Sequence, residues 1–86
     1  MGRGLQWDMD AWEEYCTWQK DKKTLKRINA LIKEVCRDPF VGSGKPEALK
    51  HELTGLWSRR INNTDRLTYK VSEEMIIILA CKGHYD

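Results

Sequence analysis

The hydrophobic and polar positions of this 86-residue chain change period partway along it. Leu5-Gln6-Trp7 alternates apolar, polar, apolar and predicts a short first strand. Asp10 followed three residues later by Glu13 has the pattern of a helix N-cap with its reciprocal partner, so a helix is expected to start there. Trp12, Tyr15, Cys16 and Gln19 then recur at helical spacing, and Trp12 and Tyr15 read as core side chains rather than as a platform for stacking bases. Asp21 can cap a second helix, whose Leu25, Ile28, Leu31, Ile32, Val35 and Cys36 form one apolar stripe until Arg37-Asp38-Pro39 stops it. Residues 39–46 hold both prolines together with Gly42 and Gly44, the composition of a loop. Beyond them the period falls to two. Strands are predicted at 56–61, 66–71 and 75–81, with turns at 62–65 and 72–74, as an antiparallel meander. Two helices ahead of a run of strands give an α+β domain with the helices packed on one face of an antiparallel sheet. A single domain over residues 1–86 is expected, with residues 1–4 as a loose end.

Composition narrows the class. An apolar fraction of 41%, four Trp and a charged fraction of 33% describe a globular chain and exclude a disordered one. No apolar run reaches the roughly 18 residues needed to cross a bilayer, and the first residues lack the apolar core of a secretory signal, so a cytoplasmic protein is expected. Cys16, Cys36 and Cys81 are an odd set without a CxxC motif, each in an apolar pattern, and read as buried free thiols. Cys81 and His84 make a CxxH half-site without a second pair, so no metal is expected. Gly42-Ser43-Gly44-Lys45 is too short for a phosphate-binding P-loop. The net charge of +2, from 15 basic and 13 acidic residues, is too small to speak for nucleic acid, so distribution must decide. Lys20, Lys22, Lys23, Lys26 and Arg27 cluster near the start of the second helix, either as a solvated face or as a contact for a phosphate backbone.

In the middle strand of the meander, Arg66, Thr68 and Lys70 alternate with Leu67, Tyr69 and Val71. Period two sends the apolar set to the core and Arg66 to the other face. With the turns as predicted, Arg60 pairs near Arg66, and even-numbered positions of the last strand continue that face toward His84. Ile76 and Ile78 then fall on the same face, which must be partly covered. The bland alternative is that both arginines solvate a sheet edge and His84 is a terminal residue. Cleavage of RNA needs a base near the 2′-hydroxyl, cations around the phosphorus and an acid for the departing 5′-oxygen, and each type is present. Glu47 lies among Lys45, Lys50 and His51, cations suited to phosphate, and by local pattern it is the first-turn Glu of a short helix.

Pro39-Phe40, Gly42 to Glu47, Leu49-Lys50-His51, Gly55-Leu56-Trp57-Ser58-Arg59-Arg60-Ile61, Arg66-Leu67-Thr68-Tyr69 and His84-Tyr85 occur in order, after Trp7, Trp12 and Tyr15-Cys16-Thr17-Trp18-Gln19. Over residues 5–85 the chain resembles the YoeB branch of the RelE toxin family. The resemblance implies a RelE-like fold and a toxin that cuts messenger RNA in the ribosomal A site without a cofactor. It also implies a YefM-like antitoxin, the 70S ribosome with its mRNA and rRNA, and a second copy of the chain as partners. Carried over by position, Glu47 is the general base, Arg66 the transition-state stabiliser, His84 the general acid and Tyr85 a substrate-holding residue. Lys50, Arg59 and Arg60 are expected at phosphate beside Lys45 and His51, and the Lys20 to Arg27 cluster at rRNA. The chain departs from the family pattern at Lys82-Gly83 and in the Asp86 that follows Tyr85. Two other functions fit the same pattern less fully: a ParE-like inhibitor of DNA gyrase, and an RNA-binding module without catalysis.

Overall fold

The computed structural model describes residues 2–83. Its elements are β1 (Gly4–Trp7), α1 (Met9–Thr17), a 3-10 turn (Trp18–Lys20), α2 (Lys22–Arg37), β2 (Glu47–Ala48), a second 3-10 turn (His51–Leu53), β3 (Leu56–Arg60), β4 (Arg66–Val71) and β5 (Met75–Ala80). The strands form one sheet in the order β1-β5-β4-β3-β2. β1 runs parallel to β5 and the other pairs are antiparallel, so the expected α+β architecture and the meander of β3, β4 and β5 are both present.

Asp21 caps α2 as its position predicts, accepting from the Thr24 backbone N–H at 3.0 Å and the Thr24 hydroxyl at 2.8 Å. Those bonds, the backbone N–H first, hold its carboxyl below the ordinary carboxylate range. Ile28, Leu31, Ile32 and Val35 of α2 are buried against Leu67 and Tyr69 of β4 and Ile76 and Ile78 of β5. This is the core, and it leaves the opposite face of the sheet for other use. α1 starts earlier than its pattern suggested. Asp8, in extended conformation, is the N-cap and accepts from Asp10 N at 3.2 Å, while Asp10 sits in the first turn, where its charge complements the helix dipole. Starting at Met9 turns Ala11, Tyr15 and Trp18 inward, so Trp12 is not a core residue. It is 45% exposed and stacks on Tyr15 with ring centroids 5.6 Å apart. Nor is the start of the chain loose throughout. Arg3 N donates to Cys36 O and Gly4 N to Glu74 O, both at 2.8 Å, and Gly4 belongs to β1.

The three cysteines, all expected to be buried, differ in environment. Cys16 is exposed, Cys36 half-buried and Cys81 fully buried, since the helical rotation that buries Ala11 turns Cys16 outward. Burial, reinforced by the charge of Glu14, pushes the Cys81 thiol up to about 12, and burial also raises that of Cys36. A thiol at that value is ionised in on the order of one molecule in 100,000 at pH 7. Maleimide labelling of the native protein followed by mass spectrometry is therefore expected to modify Cys16 first and to leave Cys81 untouched until denaturant is added. Early labelling of Cys81 would contradict this assignment.

Ile76 and Ile78 lie on the core face, not on the Arg66 face where strict alternation put them. Tyr69 pairs with Ile78 and Val71 with Ile76, but Thr68 pairs with Ala80 across a register shift between Thr68 and Tyr69. One extra residue on β5 changes the facing of everything beyond it. The shift keeps both isoleucines in the core and brings Ala80 opposite Thr68, on the face that carries Arg66.

Candidate functional site

Residues directly opposite in a ladder share a face. Glu47 is opposite Ser58, Ser58 opposite Thr68, and Arg60 opposite Arg66, so β2, β3 and β4 gather Glu47, Ser58, Arg60 and Arg66 on the surface away from the helices. Arg66 Nη1 donates to Glu47 Oε2 at 3.2 Å and to Ser58 Oγ at 3.3 Å. The Arg66 side chain is 25% exposed and that of Glu47 61%, so a ligand can reach both. The short helix expected at Glu47 is absent. Pro46 delivers Glu47 in extended form to the sheet edge, and the helical turn comes later, at His51–Leu53.

A cleft of about 730 Å³ opens over this pair. One wall is the segment from β2 through Lys50 and His51, the other the hairpin turn Asn62-Asn63-Thr64, with Arg60 and Arg66 between them. His51 has φ of 58°, a left-handed conformation that is unusual outside glycine. The lining thus sets Lys50, Arg60 and Arg66 against Glu47 and Glu52. Chemically, it presents a reachable carboxylate in contact with a guanidinium, flanked by further cations in a trough open to solvent.

Other residues expected at the site stand elsewhere. Lys45 is exposed, at φ of 52°, on the loop before β2 and does not line the cleft. Arg59 is fully buried and cannot meet phosphate, because alternation along β3 sends Ser58 and Arg60 to the face that carries Arg66 and Arg59 to the helix side, opposite Leu67. Lys20, Lys22, Lys23 and Lys26 are exposed around the start of α2. Arg27, behind them, donates from Nη2 to Arg60 O at 3.2 Å and so joins that surface to the cleft. His84 and Tyr85 lie outside the described residues. The segment leading to them is nonetheless anchored beside Arg66. Arg66 N donates to Gly83 O at 2.8 Å, and Gly83 N donates to Asp65 Oδ1 at 2.9 Å.

Ser58, Asn63 and Asp65 were missed as site residues. Ser58 was legible, since it alternates with Arg60. Asn63 and Asp65 carried only a turn signature, with nothing local to say that the turn walls a cleft or clips a distant segment.

The model of the YoeB-like toxins of bacterial type II toxin-antitoxin systems matches residues 7–85. Toxin YoeB of Escherichia coli strain K12 is 50% identical over 82 residues, covering 94% of this chain and 98% of that protein. The structure of the YoeB dimer from Staphylococcus aureus superposes with a TM-score of 0.89 at 44% identity, covering 99% of this chain and 100% of that one. The heterotetrameric YoeB-YefM complex of the same organism gives 0.87 at 44% identity with the same coverage.

Proposed function

This chain belongs to the YoeB-like toxins of bacterial type II toxin-antitoxin systems, and from that premise we propose that it is a ribosome-dependent endoribonuclease that cuts messenger RNA in the A site. The observation that carries the reading is the contact of Glu47 with Arg66 at 3.2 Å within a cation-lined cleft. Glu47 takes the proton of a ribose 2′-hydroxyl, whose oxygen then attacks the adjacent phosphorus. Arg66, with Arg60 and Lys50, neutralises the charge that builds on the equatorial oxygens. His84 gives its proton to the 5′-oxygen as the phosphorus–oxygen bond breaks, leaving a 2′,3′-cyclic phosphate and a 5′-hydroxyl. Later hydrolysis of the cyclic ester gives a 3′-phosphate. No residue of this scheme calls for a metal or a cofactor.

The cleft is open, and Arg66 bonds to Glu47 within it. A ribosome that presents the codon with its 2′-oxygen in line with the scissile bond supplies the alignment that an open cleft does not. The exposed Lys20, Lys22, Lys23 and Lys26 suit rRNA phosphate, and Arg27 links them to Arg60. The partners proposed are therefore the 70S ribosome with its message, a YefM-like antitoxin, and a second copy of the chain, following the assemblies of the Staphylococcus aureus relatives. An acidic antitoxin segment would meet both the α2 cluster and the cleft arginines.

The test is primer extension on a short message bound to 70S ribosomes, with the same message free in solution and a gyrase supercoiling assay alongside. Cleavage at the A-site codon on ribosomes, slow or absent in free RNA and lost in His84→Gln, is the expected result. An intact message with inhibited gyrase would replace this reading with the ParE-like one. Binding without products would leave an RNA-binding module.

A further inference from the structure

Arg59, which the nuclease scheme leaves unused, is a fully buried guanidinium. Its Nη2 donates to the main-chain oxygens of Asp38 at 2.6 Å and Val41 at 3.0 Å, and its Nη1 to that of Ser43 at 3.3 Å. Glu34 of α2 pairs with the same Nη1 at 3.4 Å and accepts from Ser43 N at 2.9 Å. Tyr69 closes the group, its hydroxyl accepting from Arg59 Nε at 3.2 Å and donating to Pro39 O at 2.6 Å. The Ser43 backbone N–H and side chain, then the Arg59 charge, keep the Glu34 carboxyl below its ordinary range. Burying a guanidinium is costly, and an apolar side chain would fill the same space, so this arrangement is better suited to selecting one path for the backbone than to adding stability.

The path selected leads to Glu47. The residues held by Arg59 span 38–43, and at residue 44 the chain is fixed again, Gly44 O accepting from Arg60 N at 2.6 Å. Only Lys45, at positive φ, and Pro46, with its ring-fixed φ, separate that point from Glu47. β2 itself is two residues long, too short a ladder to orient a side chain unaided. Gly42 is wedged into the same cluster at φ of +140°, where a Cβ would come within 2.6 Å of Glu34 Oε1 and 2.7 Å of Arg59 Nη1.

We propose that Arg59, clamped by Glu34 and Tyr69, is a positioning residue that sets the Glu47 carboxylate against Arg66 by fixing the loop that delivers it. The proposal rests on the nuclease reading only for its catalytic readout. Glu34 is partly exposed, so Glu34→Gln tests the clamp with the least risk to folding, and Gly42→Ala, which forces the cluster apart by a different route, is the second variant. Single-turnover cleavage on ribosomes is expected to fall about tenfold in each, with half-saturation by ribosomes unchanged. In a Glu47→Gln background neither change is expected to cause further loss, because groups acting as one unit are not additive. A residue that merely stabilises the fold would add its loss in both backgrounds. Native kcat in both variants, or full additivity with Glu47→Gln, would overturn the proposal. If the native chain cuts nothing, the nuclease reading falls, and the positioning is judged by the carboxyl 13C shift of Glu47: movement in Glu34→Gln sustains it, and an unmoved signal overturns it.

Discussion

Arg66→Ala is expected to slow A-site cleavage about 100- to 1000-fold, the loss that follows removal of a single well-placed donor to a charged transition state. The arginine bonds only to Glu47 and Ser58 among the described side chains, Glu47 at the cleft and Ser58 buried beneath it on the same face of the sheet, so its loss removes no contact from the core of Ile28, Leu31, Leu67, Tyr69, Ile76 and Ile78. The defect should therefore appear in the rate and not in the thermal midpoint. Arg66→Lys should recover little, since an ammonium is a point charge and cannot span two phosphate oxygens as a guanidinium does. Glu47→Gln should cost about as much, because removing a general base forfeits roughly 100- to 10,000-fold. The double variant should lose far less than the product of the two, as the pair is proposed to act on one phosphate. Single-turnover primer extension with matched unfolding curves checks all four. Native rates in Arg66→Ala would withdraw Arg66 from the mechanism.

The sequence showed this site where neighbouring positions set the geometry and concealed it where distant ones do. Alternation along 56–61 and 66–71 was enough to pair Arg60 with Arg66, because a two-residue period and one turn settle a hairpin. The same alternation carried too far misassigned Ile76 and Ile78, since the register shift opposite Thr68 arises from pairing between strands and has no local mark. Arg59 and Arg60 are adjacent and chemically alike. Only the position of the α2 layer makes the first a buried anchor and leaves the second in the cleft. The early start of α1 is a local error, a choice between Asp8 and Asp10 as cap, and it moved Trp12 and Cys16 from the expected core to the surface. That the β3–β4 turn grips Gly83 joins residues 18 apart, beyond the reach of any pattern read over a few positions.

That last contact supports the second large effect. Asp65→Ala is expected to lower the cleavage rate about 100-fold at unchanged ribosome affinity, although Asp65 is not proposed to touch substrate. Asp65 Oδ1 accepts from Gly83 N, its Oδ2 accepts from Asn62 Nδ2 at 3.0 Å, and the Arg66 backbone N–H holds Gly83 O. Gly83, at φ of +64°, is thus fixed at two points immediately before His84, the proposed acid. Without the carboxylate, one of those points is lost and the acid's attachment can drift from the 5′-oxygen. Asp65→Asn keeps an acceptor for Gly83 N and should lose only a few-fold. Burial pushes the Asp65 carboxyl upward, but the Gly83 N–H, the Asn62 and Thr64 side chains and the Lys82 charge together outweigh it, leaving the pKa lowered. A pKa lower in the folded than in the unfolded state means that the stabilisation is fully present above the unfolded value of 3.8 and is lost as pH falls through the folded one. The clip is accordingly closed throughout the neutral range, and Asp65 contributes no pH dependence to cleavage there. Amide exchange at Gly83 should accelerate in Asp65→Ala at neutral pH and in the native chain only under strong acid. A variant that cuts at the native rate while Gly83 exchanges freely would show that the acid needs no such anchor.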